Sequence, residues 1–113
     1  MSIQHNSDLV EQIYADNAIA ALTTIQDFLR WTLSCFNRSD IYFGQGYDNP
    51  WDEALQLVLG GLQLPLDFPA QFYTSKLTTQ EKETLLQMLI TRLAQRVPVA
   101  YLTQSAWFCG LVV

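Results

Sequence analysis

At 113 residues the chain amounts to one small domain, long enough to bury a core without help from metal or disulfide. Half of it is hydrophobic and 15% is charged, too apolar a balance for a disordered segment. A formal charge of −5 argues against a general nucleic-acid-binding domain, which needs clustered Lys and Arg for phosphate.

Met1 to Ser7 is polar and reads as a frayed end. His5, the one histidine, sits there with no second ligand nearby, a poor basis for metal or catalysis. From about Asp8 to Phe36 the pattern is helical, with a break near Asp16-Asn17. Leu22, Ile25, Leu29, Leu33 and Phe36 form one stripe, and Phe28, Trp31 and Cys35 a second beside it. An apolar arc this wide must be wrapped by other helices, so these aromatics are expected in the core.

The stretch from Ile41 to Glu53 carries Tyr42, Phe43, Tyr47 and Trp51 with three acids and no base. Gly44 and Gly46 permit positive φ or a close approach to another surface. Asn49-Pro50 reads as an N-cap and first helical position, with Asp52 and Glu53 in the first turn, where the helix dipole favours negative charge. The helix that follows is expected over about Pro50 to Leu62, with Trp51, Ala54 or Leu55, Val58 and Leu62 inward and Gly60-Gly61 at its end. From Asp40 to Asp67 there are five acids and no base, whereas four of the six bases lie from Lys76 onward. That asymmetry suits either an acidic patch facing a basic partner or a merely soluble surface.

Pro65 and Pro69 make 63–77 an irregular arm with room for one short turn at Ala70 to Tyr73. Thr78-Thr79-Gln80-Glu81 is a capping box that opens the clearest helix. Leu86, Leu89, Ile90, Leu93 and Val97 should line its buried face, and Glu83, Gln87, Thr91 and Gln95 the solvated one. Arg92 and Arg96 are expected to complement the C-terminal end of the helix dipole. Pro98 stops the helix, and the residues beyond it turn β-like. Val112-Val113 reads as a strand cut off mid-course, so the chain is expected to be an amino-terminal fragment of something longer.

Cys35 and Cys109 both have apolar neighbours and are expected to be buried free thiols in a reducing compartment. No apolar run approaches the ~18 residues of a membrane helix, and no leader is evident, so a cytoplasmic location is expected. Catalytic patterns are missing. Gly44-Gln45-Gly46 has Asn49 where a dinucleotide motif needs its third glycine. There is no Cys/His cluster at metal spacing, and a nucleophile–histidine site would have to use His5. Asp52 and Glu53 are adjacent in a helix and project roughly 100° apart, which suits capping better than acid–base work.

Leu22-Thr23-Thr24-Ile25-Gln26-Asp27-Phe28-Leu29-Arg30-Trp31, Tyr42 to Ala54, Arg96-Val97-Pro98-Val99-Ala100-Tyr101-Leu102-Thr103 and Ala106-Trp107-Phe108-Cys109-Gly110 together resemble a known domain. It is the amino-terminal domain of the HemK-like bacterial ribosomal-protein glutamine methyltransferases, in the branch acting on large-subunit ribosomal protein three. The resemblance covers most of the chain beyond the first dozen or so residues. Pro98-x-x-Tyr101-Leu102 is common to this branch and to the sister branch acting on release factors. Asp48-Asn49-Pro50-Trp51-Asp52-Glu53-Ala54 is the specific part.

The resemblance implies an all-α bundle of three to four helices over 1–105, with 106–113 beginning a β-hairpin linker to a Rossmann-like domain absent from this sequence. That absent domain would bind S-adenosylmethionine and carry the family's Asn-Pro-Pro-Tyr motif, so no catalytic or cofactor residue transfers to this chain. Asn49-Pro50-Trp51 lacks the second proline and the tyrosine. The implied role is substrate recognition. Tyr42, Phe43, Gly44, Gly46, Tyr47, Asp48 and Asp52 are the candidates for docking a basic ribosomal protein. Against this, Tyr42, Phe43 and Trp51 would simply plug the core while the acids cap the helix. The alternatives are a stand-alone interaction module or scaffold, or the release-factor branch. RNA contact would rest on Arg92 and Arg96 alone.

Overall fold

The computed structural model describes residues 2–39 and 49–95 together with Val97, Val99 and Leu102. Among them the chain forms five α-helices: α1 (Ser2–Ala15), α2 (Ala18–Ala21), α3 (Ile25–Arg38), α4 (Pro50–Gly61) and α5 (Thr79–Gln95). The all-α class is as expected, but three to four helices were expected and the described residues form five, because the amino-terminal run breaks twice. The strand stub at 106–113 lies outside the described residues.

The amino-terminal half is more segmented than its periodicity implies. α1 starts at Ser2, so Ser2 to Ser7 is helical and not frayed. No Gly or Pro interrupts this segment, so a helix carrying Leu9 and Ile13 in the core extends back through polar residues. Asn17 adopts the left-handed region at φ 52°, where the break was expected. A second break, unforeseen, falls at 22–24. There Thr24 is extended and caps α3 in a reciprocal box: its hydroxyl accepts from the Asp27 amide at 3.1 Å, and the Asp27 carboxylate accepts from the amides of Thr23 and Thr24 at 3.0 and 3.1 Å.

Tertiary structure explains why the helix stops there. The Leu77 amide donates to the Thr23 carbonyl at 2.9 Å, and the Ile25 and Gln26 amides donate to Ser75 and Tyr73 carbonyls at 3.1 and 2.9 Å. The arm at 63–77 therefore satisfies amide donors that a fresh helix start leaves open. Its single 3₁₀ turn, Ala70–Phe72, lies where a short turn was expected.

The two backbone bonds to Asp27 hold its carboxyl below the usual carboxylate range. A depressed folded value stabilises above the unfolded value of about 3.9 and is lost as pH falls through the folded one. Thr24→Ala is expected to cost about 1 kcal/mol at neutral pH. Asp27→Asn should flatten the decline of the melting temperature below about pH 4. Thermal melts at pH 7 and pH 3 check both.

α3 forms the centre, packed most extensively on α4, which packs on α5; α1 and α2 close over α5. Ile25, Phe28, Leu29, Trp31, Cys35 and Phe36 are buried as expected, and the Trp31 indole donates to Asp16 at 3.0 Å. Asp16 is held low by bonds from Gln12 and Trp31. On α5 the expected capping box is present, with Thr78 and Glu81 exchanging bonds of 2.8 and 3.1 Å. Its buried face is Leu85, Leu86, Met88, Leu89 and Leu93, whereas Ile90 and Val97 are half-buried. The stripe is thus rotated toward Leu85 and Met88 from its expected position.

Gly61 ends α4, but the left-handed residue beyond it is Gln63 at φ 62°. Gly61 serves helix packing instead. A Cβ there would stand 2.8 Å from Leu85 Cδ2 and 2.9 Å from Met88 Sδ. Absence of a side chain lets α4 and α5 approach closely at this end.

Candidate functional site

Of the seven residues expected to meet a partner, Tyr42, Phe43, Gly44, Gly46, Tyr47 and Asp48 lie outside the described residues. Asp52 is described, and the turn that holds it is built as its sequence implies. Asn49 is extended at φ −121°, and its side-chain oxygen accepts from the Asp52 amide at 2.8 Å. Its carbonyl accepts from the Glu53 amide at 3.0 Å, while Pro50 at the first helical position has no donor to satisfy.

Three consecutive side chains leave this turn in three directions. Trp51 is 43% exposed, Asp52 is half-buried and Glu53 is 8% exposed. The expectation that Trp51 lines the inner face of α4 is therefore corrected. The buried residues of α4 are Glu53, Ala54, Leu57, Val58 and Leu59. At ~100° per residue Trp51 projects between Val58 and Leu59, so helix phase alone does not account for its exposure. An exposed indole beside a carboxylate, at the positive end of a helix, can offer both apolar area and charge to a partner.

Glu53 points inward to a cation. Arg92 Nε donates to Glu53 Oε2 at 2.9 Å, with side chains 12% and 10% exposed for arginine and glutamate. Arg92 was expected merely to complement the end of the helix dipole; instead it crosses to another helix. This pair was missed, although a signal existed. Arg92 follows Leu85, Met88 and Leu89 at helical spacing, and Glu53 precedes Ala54 and Leu57, so both charges sit in phase with apolar stripes. A charge in that register needs a buried partner.

Other features carry less. Cys35 is fully buried and free, its thiol pushed up by burial although Arg38 donates to its sulfur at 3.6 Å, which makes it unreactive. Cys109 lies outside the described residues. A cleft of about 440 Å³ opens between α1, α2 and α5, lined by Ile13, Tyr14, Ile19, Glu83, Leu86 and Gln87 among others. Among the described residues no group of three His, Cys, Asp or Glu could hold a metal ion. No helix among them is long and apolar enough to cross a membrane.

No family model matches the chain, and no solved structure gives a significant match. Curated proteins do. The chain is 45% identical over 92 residues to the ribosomal protein uL3 glutamine methyltransferase of Neisseria gonorrhoeae, which takes in 81% of this chain. To the protein of the same name from Neisseria meningitidis serogroup B it is 44% identical over 95 residues, or 84% of this chain. In both cases the match takes in 31% of the relative, so the chain spans about a third of the length of the curated relatives it matches. The matched third is their amino-terminal part. This chain is thus the counterpart of the amino-terminal part of the ribosomal protein uL3 glutamine methyltransferase family.

Proposed function

We propose that the chain is the substrate-recognition domain of a protein-glutamine methyltransferase that acts in the cytoplasm on a basic large-subunit ribosomal protein. The observation that carries this reading is the 44–45% identity, over 81–84% of the chain, to proteins named for methylating a glutamine of ribosomal protein uL3. In this reading residues 1–105 are the recognition domain, and 106–113 begin the hairpin leading to a Rossmann-like catalytic domain. That domain would bind S-adenosylmethionine, which supplies the methyl group. The described residues do not fit this cofactor, since they contain no strand leading into a glycine-rich turn. No step through it is derived from them.

Recognition falls to the 41–53 corner: Tyr42, Phe43, Tyr47, Asp48 and Asp52, with Gly44 and Gly46 allowing close approach. The exposed indole of Trp51 beside Asp52 supports placing the surface here. So does the charge asymmetry, with five acids and no base from Asp40 to Asp67. Acids opposite a basic partner steer encounter and set register more than they add raw affinity.

The test is calorimetric binding of this chain to purified uL3 at two salt concentrations. Binding should weaken as salt rises, and Asp48→Lys with Asp52→Lys should weaken it about tenfold or more, equivalent to ~1.4 kcal/mol. The variant's melting temperature must be followed alongside, because a lysine in the first turn of α4 opposes the helix dipole by about 0.3–1 kcal/mol. Unchanged affinity in a folded double variant would remove the corner from recognition. No binding by the folded native chain would leave it a scaffold.

A further inference from the structure

We infer that the buried Glu53–Arg92 pair is a positioning device, which sets the first turn of α4 in one register against the last turn of α5. The inference rests on the recognition reading above, because Trp51 and Asp52 ride on that same turn.

The geometry comes first. Glu53 lies in the first turn of α4 and Arg92 in the last turn of α5, joined at 2.9 Å, so the two helices run antiparallel. At the far end of the same interface a Cβ on Gly61 would stand 2.8 Å from Leu85 Cδ2 and 2.9 Å from Met88 Sδ, so those side chains would have to shift. Glu53 to Gly61 is about 12 Å of α4, and Leu85 to Arg92 about 10 Å of α5, at ~1.5 Å per residue. Two pins therefore hold one pair of helices: close packing at one end and a directed bond at the other.

Energetics explains why the second pin is ionic. Burying two charges costs desolvation that their attraction only roughly offsets, and apolar replacements of such pairs are often neutral or stabilising. Folding stability is thus a weak reason for this pair. Along the same two helices Leu57, Val58, Leu85 and Leu89 are all buried and apolar. Such surfaces attract without direction and tolerate small rotations of one helix on another. The Arg92 Nε–H bond does not tolerate them, since its strength falls steeply with misalignment. Rotating α4 about its axis would re-aim Trp51 and Asp52 together. Glu53 and Arg92 act on the partner only through those two residues.

The experiment compares the 113-residue chain with its Glu53→Leu/Arg92→Leu and Arg92→Lys variants. The double leucine change leaves net charge unaltered, so any loss of binding is not a loss of overall attraction. Three readouts are taken: the melting temperature, the affinity for purified uL3, and hydrogen-exchange protection of the residue-53 amide relative to that of Leu57. The double variant should melt at or above the native temperature, yet bind at least tenfold more weakly and lose at least tenfold in protection at residue 53. Arg92→Lys, which keeps a cation in place, should stay within threefold of native in both. Native binding and native protection in the double variant would overturn the inference, and so would its failure to fold. If the native chain does not bind uL3, the recognition reading fails by itself, and the exchange measurement still decides the positioning role.

Discussion

Arg92→Met is expected to lower folding stability by about 3–5 kcal/mol, one of the two largest effects foreseen for a single substitution in this chain. Methionine fills much of the volume left by the arginine stem, so packing is not the main loss. The loss comes from Glu53, which is 8% exposed and would be left with no cation beside it. An unpaired buried charge costs far more than the intact pair contributes. A domain of this size is stable by roughly 5–15 kcal/mol, so the change takes a substantial share of the total. Adding Glu53→Leu should return most of it, because the second substitution removes the orphan. Urea denaturation of the single and double variants checks this. Equal losses in the two would show that shape, not charge, governs the site.

Phe28→Ala is expected to cost a similar 3–5 kcal/mol through a different mechanism. Phe28 is 1% exposed and meets Trp31 edge to face, with ring centroids 5.8 Å apart. Truncation opens a cavity in the centre of α3, the helix on which α4 and α1 both pack. Trp31 is tethered at its far side by the bond from its indole to Asp16, so it cannot readily swing in to fill the gap. The loss should appear as a lower denaturation midpoint together with a weakened near-ultraviolet signal from Trp31. A cost below about 1 kcal/mol would mean that the core collapses around the missing ring.

Features encoded by one residue and its near neighbours were legible in advance. Asn49-Pro50 caps α4, Thr78 and Glu81 box α5, Asn17 breaks the first helical run, and the proline-flanked arm carries a single short turn at Ala70–Phe72. Each depends on a side chain within about four residues of the backbone group it serves, a distance that the spacing itself displays. The aromatic stripe of α3 was legible for a related reason: an apolar arc that wide has no stable place except inside.

What was not legible depended on which neighbour each helix meets. Thr24 sits in an otherwise helical pattern; its box with Asp27 is local, but the carbonyls of Ser75 and Tyr73 and the amide of Leu77 that also bond the new helix start come from the distant arm. Trp51 has the spacing of a core residue, yet it is 43% exposed while Glu53, Ala54 and Leu57 beside it on α4 are buried. Gly61 looks like a helix terminator and proves to be a contact surface for Leu85 and Met88. By itself, then, the sequence determined the all-α class, the caps and the family, because local hydrogen bonding, apolar periodicity and shared residues are all properties of the string. Only the tertiary structure decided which way α4 is turned, and hence that Glu53 and Arg92, 39 positions apart, face each other. The physical reason is that burial and pairing belong to surfaces in contact, and periodicity leaves the rotation of a helix about its own axis open until its neighbours are in place.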